Sequence, residues 1–349
     1  MPPPTSDEQI GFMVNIQRLL DEGLFTASYK FALLLALADL SIELGDDSGA
    51  ALELATDAIA EKFVQYYWRQ AMPYATAGEA AILQQNTDRQ AAIVNLVRDA
   101  RKAYGDSMTV AMRDRARWRG LVRKAARIVR EMPLWRLQRI GKEQLSFLYE
   151  NQGDGRVIHL RPGVAYCCRK FHALISDLVR GAWVRYVRQQ NLGLLGETTD
   201  LNEFLFGSER NNLALVRPVL LDLQRGRCFY CNVGITGTTA HVDHFVAWAR
   251  YPVDLGHNFV LADERCNNKK RERLPACEHL AAWMERNVTY GDQLRDALEP
   301  RGLITDLAAS KRVAAWAYAQ TEAAGGLTWV KADEMVPLTK EWRELVRDA

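Results

Sequence analysis

The 349-residue chain predicts a mainly α-helical protein: a helical N-terminal region, one small strand–loop–strand–helix module and a helical C-terminal extension. Three observations carry that prediction. Apolar residues recur at helical spacing through most of residues 1–190. A Gly-, Thr- and Asn-containing connector at 191–209 then gives way to short strand-like runs and tight loops, and helical patterning returns from Ala281. Apolar residues make up 48% of the chain and charged residues 25%, a globular composition that excludes wholesale disorder.

Taken in order, Ser6 or Asp7 caps a first helix reaching about Asp21, with Ile10, Met13, Val14, Ile16 and Leu20 as its apolar stripe. A second helix spans about Thr26 to Leu44, and its centre, FALLLALADL, is apolar all round and therefore buried. Gly45-Asp46-Asp47 ends it, and a third helix runs from Ser48 to about Tyr67. This succession fits either a helix-turn-helix unit or a compact bundle. Residues 87–104 and 108–131 give two more helices, the second Arg-rich and stopped by Pro133. Phe147–Tyr149 and Val157–Leu160 flank a turn-rich stretch and suit a hairpin. A long helix follows Pro162-Gly163 to about Gln190, with Phe171 and Trp183 either core side chains or, beside its arginines, platforms for nucleic-acid bases, and Cys167-Cys168 as buried packing residues. Past Ala281 the pattern gives a helix through Arg286, another over Thr305–Ala324, a strand at Leu327–Val330 and a last helix at Lys340–Val346.

Net charge is +2, but it divides unevenly. Residues 1–100 carry −8, residues 101–190 carry +13 and the remainder −3. The basic block is either a solvated or domain-facing surface or a site for a polyanion. Four segments follow: an acidic helical domain at 1–105, a basic helical region at 106–200, the mixed module at 201–280 and the extension at 281–349. The longest apolar run, Phe31 to Ala38, is far short of the ~20 residues of a membrane helix. With no basic-then-apolar leader and six Cys in so long a chain, the expectation is a cytoplasmic protein with reduced thiols and no membrane partner.

Chemistry concentrates in residues 225–275. Asp243 and His244 end a strand-like run over Ala240–Trp248, a second run covers Asn258–Leu261, and Asn267 lies on a short charged helix beginning near Asp263. A carboxylate and an amide oxygen are hard ligands suited to one Mg²⁺ or Mn²⁺, and the neighbouring imidazole can take a proton from water. Phosphodiester hydrolysis needs that combination. Cys228-x-x-Cys231, Val242-Asp243-His244-Phe245, Asn258 and Cys266-Asn267-Asn268-Lys269-Lys270 follow in order, with Asn258 and Asn267 14 and 23 positions after His244. The segment resembles the HNH endonuclease family, the ββα-metal nuclease domain of the subtype that begins with a Cys-x-x-Cys knuckle, found in bacterial restriction and antiphage proteins.

The resemblance implies His244 as general base, Asp243 and Asn267 as ligands of the catalytic Mg²⁺ or Mn²⁺, and Asn258 as a tie between the loop and the second strand. It implies phosphate contacts by Lys270 and Lys269. It also implies a structural Zn²⁺ on Cys228, Cys231 and Cys266, with a fourth ligand three residues before Cys266. That position is Asp263, which is equally placed to cap the helix, and His241, His257, Cys277 or His279 are alternative ligands. His241 lies two residues before Asp243 on the same strand face, either near the metal or the substrate phosphate or simply a surface or core histidine. The expected partner is DNA, held through Arg115, Arg119, Arg123 and Lys124 of the basic block. One site cuts one strand, so double-strand cleavage calls for a homodimer or a partner subunit. The other readings are a nuclease acting on RNA, an effector subunit of a larger defence complex, and a non-enzymatic zinc-stabilised DNA-binding module.

Overall fold

A computed structural model describes residues 1–74, 80–195, 200–207 and 211–347 of the chain. They form two compact units, Met1–Gly207 and Ser208–Ala349. Segments 1–105 and 106–200 thus share a single core, running from Phe12 to Leu205. The mainly α-helical class is observed, with only two-stranded sheets among the described residues.

In the first unit the initial helix is Ser6–Glu22, and its cap is Thr5, not Ser6 or Asp7. Thr5 and Glu8 form a reciprocal capping box, the Thr5 N–H donating to the Glu8 carboxylate at 2.7 Å. Phe12, Ile16 and Leu19 turn inward, which leaves Ile10 and Val14 of the expected stripe in solvent. The Tyr29–Leu44 helix is buried over nearly its whole length and packs on the Thr56–Gln70, Val164–Lys170 and His172–Gln190 helices.

Four elements depart from the sequence reading. The third helix starts at Thr56, because Leu52–Ala55 form a strand paired antiparallel with Val157–Leu160. That pairing takes up the strand expected in a hairpin, and the 147–149 segment keeps one bridge, Tyr149 to Leu160. The Arg-rich helix is broken at Asp114, whose carboxylate accepts the Arg117 N–H and starts the Arg115–Glu131 helix. The long helix divides at Phe171 into Val164–Lys170 and His172–Gln190. Trp183, Cys167 and Cys168 are buried as expected, and Phe171 is half-buried.

In the second unit Ala240–His244 pairs antiparallel with Phe259–Asp263, in register from Ala240↔Asp263 to His244↔Phe259. The short Glu264–Lys270 helix packs on both strands, giving the expected strand–loop–strand–helix order. The Asn211–Leu223 and Cys277–Leu298 helices lie against this module. Val216, Leu220, Phe259, Leu261, Leu294 and Trp329 belong to its core. The Leu307–Ala323 helix, a hairpin of Leu327–Lys331 with Glu334–Pro337 and a turn of helix at Trp342–Leu345 complete the unit. No helix among the described residues is long and apolar enough to cross a membrane.

Candidate active site and metal centre

The Cys228–Cys231 knuckle is shaped by backbone that turns back on itself. Gly226 sits at φ +65° and Asn232 at φ 59°, the left-handed region that Gly and Asn tolerate best. The Cys228 N–H donates to the Val233 carbonyl at 2.9 Å, and the Asn232 N–H donates to the Cys228 carbonyl at 3.0 Å. Asp263, at the end of the second strand, caps the next helix by accepting the Cys266 N–H at 3.0 Å. Its other oxygen accepts the Cys231 thiol at 2.9 Å.

One ligand atom from each of Cys228, Cys231, Asp263 and Cys266 lies within 4.8 Å of the others, a group able to hold a metal ion. Burial pushes the Cys228 thiol up to about 11. Burial also opposes ionisation of Asp263, but hydrogen bonds from the Cys231, Cys228 and Cys266 thiols outweigh it and hold this carboxyl well below its usual range. The alternative fourth ligands point elsewhere. His257 Nε2 meets the Gly291 carbonyl at 3.1 Å, His279 Nε2 meets the Val330 carbonyl at 2.7 Å, and Cys277 lies 3.7 Å from the Thr339 hydroxyl. His241 is half-buried on the strand, opposite Ala262.

The end of the first strand places Asp243 and His244 side by side in sequence with their side chains in different surroundings. His244 Nε2 lies 2.9 Å from Asp254 Oδ1, and both side chains are largely buried, with Phe259 and Trp248 against the imidazole. The Tyr230 hydroxyl donates to Asp243 Oδ2 at 2.6 Å. Lys270 Nζ lies 3.0 Å from the same oxygen, 3.2 Å from Asp243 Oδ1 and 2.8 Å from the His244 carbonyl. Burial raises the Tyr230 phenol well above its usual range, reinforced by the Asp243 charge. Asn258 is 3% exposed and bonds Val246 twice, Oδ1 accepting its N–H at 2.8 Å and Nδ2 donating to its carbonyl at 2.9 Å. This clasp ends the first strand at His244, short of the expected Trp248, and fixes the loop beside the second strand. Asn267 is half-buried on the Glu264–Lys270 helix, which packs on the strand carrying Asp243.

One expectation is corrected. Lys270 does not face solvent or phosphate: its side chain is 0% exposed and ion-paired with Asp243. It ends the short helix on the side turned to the strands, where an unpaired ammonium would be costly. Lys269, on the outer side, pairs with Asp333 at 2.8 and 2.9 Å. Arg115, Arg119, Arg123 and Lys124 are exposed, and they belong to the first unit, not to the unit with the site. Tyr230 and Asp254 were missed. Tyr230 lies inside the Cys-x-x-Cys knuckle and Asp254 lies in the loop four residues before Asn258, where residue type and spacing gave no reason to choose them.

No protein-family model matches this chain, and no curated protein matches it.

Proposed function

We propose that the Ser208–Ala349 unit is a metal-dependent endonuclease module of the HNH type, hydrolysing phosphodiester bonds in DNA. The observation that carries the reading is the succession, at the end of one short strand, of the Asp243 carboxylate and an imidazole, His244, oriented by Asp254. Asn267 stands on the helix packed against that strand.

The residues present fit a hard divalent cation by donor type, a carboxylate oxygen from Asp243 and an amide oxygen from Asn267. Tyr230 and Lys270 make three contacts with the Asp243 oxygens. A carboxylate has about four lone-pair positions, so one remains for a metal. Bound there, Mg²⁺ or Mn²⁺ would neutralise charge developing on the phosphate and leaving oxygen. The chain's own groups do the rest. Asp254 holds the Nε2–H tautomer of His244, leaving Nδ1 to take the proton of the attacking water. Tyr230 and Lys270 fix the Asp243 carboxylate in place. The Asn258 clasp fixes the loop after the strand and so the direction in which His244 projects.

Zinc is the ion we assign to Cys228, Cys231, Asp263 and Cys266, as a structural staple between knuckle and helix. The exposed Arg119, Arg123 and Arg127, at four-residue spacing on one helix, support the grip on DNA phosphates. The test is nicking of supercoiled plasmid with Mg²⁺ or Mn²⁺ by purified protein beside His244→Ala. The wild type should nick and the variant should not. Equal nicking by both removes His244 as the base, and cleavage confined to an RNA substrate moves the module to the other polymer.

A further inference from the structure

The first unit contains a cavity of about 290 Å³ that the proposed nuclease reading does not use. It opens where the Arg-rich helix ends, between Met132-Pro133 and the start of the Tyr29–Leu44 helix. Its walls are largely apolar, with Leu24, Tyr29, Met132 and Pro133 among them. Leu24 and Met132 are 66% and 41% exposed, so the chain keeps large apolar side chains in water at this place.

Three cations line the same cavity: Lys30, Arg136 and Arg139. Arg136 and Arg139 are exposed, but Lys30 is 8% exposed. The Lys30 ammonium donates one hydrogen bond, to the Arg139 carbonyl at 3.2 Å, and lies 5.4 Å over the Phe25 ring, itself stacked on Phe31. No carboxylate lines the cavity among the described residues. A buried ammonium facing two guanidinium groups without a counter-ion is costly, and a bound anion is what offsets the cost.

We propose that this cavity is a nucleotide-binding site, taking the phosphate of a nucleoside monophosphate on Lys30, Arg136 and Arg139 and its base against the apolar wall. Three cations suit a phosphate dianion better than a singly charged carboxylate. The aromatic and proline walls suit a flat ring, and the volume admits a single nucleotide. The same chemistry has two sources, a free nucleotide or the phosphorylated end of a strand.

Calorimetric titration of the whole chain with AMP and TMP tests the assignment, with inorganic phosphate and octanoate as comparators. The nucleotides should bind saturably and more tightly than either comparator. Lys30→Met, which preserves length while removing the buried charge, should weaken binding by about tenfold or more. Arg136→Ala, at an exposed position, should weaken it by a smaller factor. A 5′-phosphorylated oligonucleotide that displaces AMP assigns the site to strand ends, and one that does not assigns it to free nucleotide; both uphold the proposal. Absence of saturable binding, equal binding of octanoate or phosphate, or unchanged affinity in both variants overturns it. None of these readouts depends on nuclease activity.

Discussion

His244 Nε2 lies 2.9 Å from Asp254 Oδ1, so the imidazole next to Asp243 has its ring orientation set by a carboxylate from the following loop. A base held this way presents its other nitrogen in one direction without searching for it. Asp254→Asn keeps the shape but can hold the wrong tautomer, and Asp254→Ala removes the contact. Each should lower kcat for plasmid nicking on the order of 10²-fold with KM little changed. Asp254→Glu should recover part of the loss. Equal losses in kcat and in thermal stability for all three variants would make Asp254 a packing residue only.

Lys270 separates two accounts of the short helix. As a phosphate ligand its removal would weaken DNA binding and leave the fold alone. As the buried partner of Asp243 and the His244 carbonyl, its removal strands a carboxylate. Lys270→Met should therefore destabilise the second unit by about 3 kcal/mol in urea unfolding. Adding Asp243→Asn should cost less than the two single changes together, because the stranded charge is then gone. Additive losses would show the pair to be uncoupled.

The sequence made the order of elements legible wherever the signal was local. FALLLALADL could only be a buried helix, and the runs around Asp243-His244 and after Asn258 and the charged segment after Asp263 did form two strands and a helix, though the first strand stops at His244, not Trp248. It failed where partners lie far apart in the chain. ALELA has no strand signal of its own and becomes a strand by pairing with Val157–Leu160, about a hundred residues on. Within the site, Lys269 and Lys270 are adjacent and chemically identical. Only the packing of the helix on the strands sends one inward to Asp243 and the other outward to Asp333. Asp254 was illegible for the same reason: a loop aspartate gains its meaning from the histidine it meets.

Asp263 has two tasks that substitution can separate. It caps the helix through the Cys266 N–H and it belongs to the four-residue group able to hold a metal ion. Asn caps as well as Asp but is a poor zinc ligand, so Asp263→Asn should keep the cap and lose most of the zinc. Asp263→His should retain stoichiometric zinc. Elemental analysis of the purified proteins gives the zinc content directly. Chelation of the wild type should lower the Tm of the second unit by about 10 °C, a loss of about 3 kcal/mol. Zinc absent from the wild type, or unchanged in Asp263→Asn, would remove Asp263 from the ligand set.

The Arg-rich helix makes a prediction that depends on salt. Its buried face is Trp118, Leu121, Val122, Ala125, Ala126 and Val129, which leaves Arg119, Arg123 and Arg127 in solvent at intervals of four. If each meets one phosphate, replacing all three with Ala should reduce the slope of log K against log[salt] for duplex binding by about 3. Far-UV circular dichroism should be unchanged, since none of the three is buried. An unaltered slope would assign the stripe to solvation.

Lys30 gives the first unit a pH dependence of calculable sign. Burial, and then the charges of Arg136 and Arg139, lower its ammonium to about 8 from an ordinary value near 10.5. Between those values the unfolded chain still holds the proton that the folded chain has released, so folding becomes more favourable as pH rises through that window. Below pH 8 both states are protonated and the penalty is present in full. Compared with Lys30→Met, the wild type should therefore gain urea stability from pH 8 to 10, with a slope approaching about 1 kcal/mol per pH unit. The variant removes this one group while retaining the titrating thiols and phenols, whose contributions cancel in the difference. Parallel pH curves for the two proteins would show that Lys30 keeps its ordinary affinity for protons, and that its ammonium is solvated or paired in the folded chain.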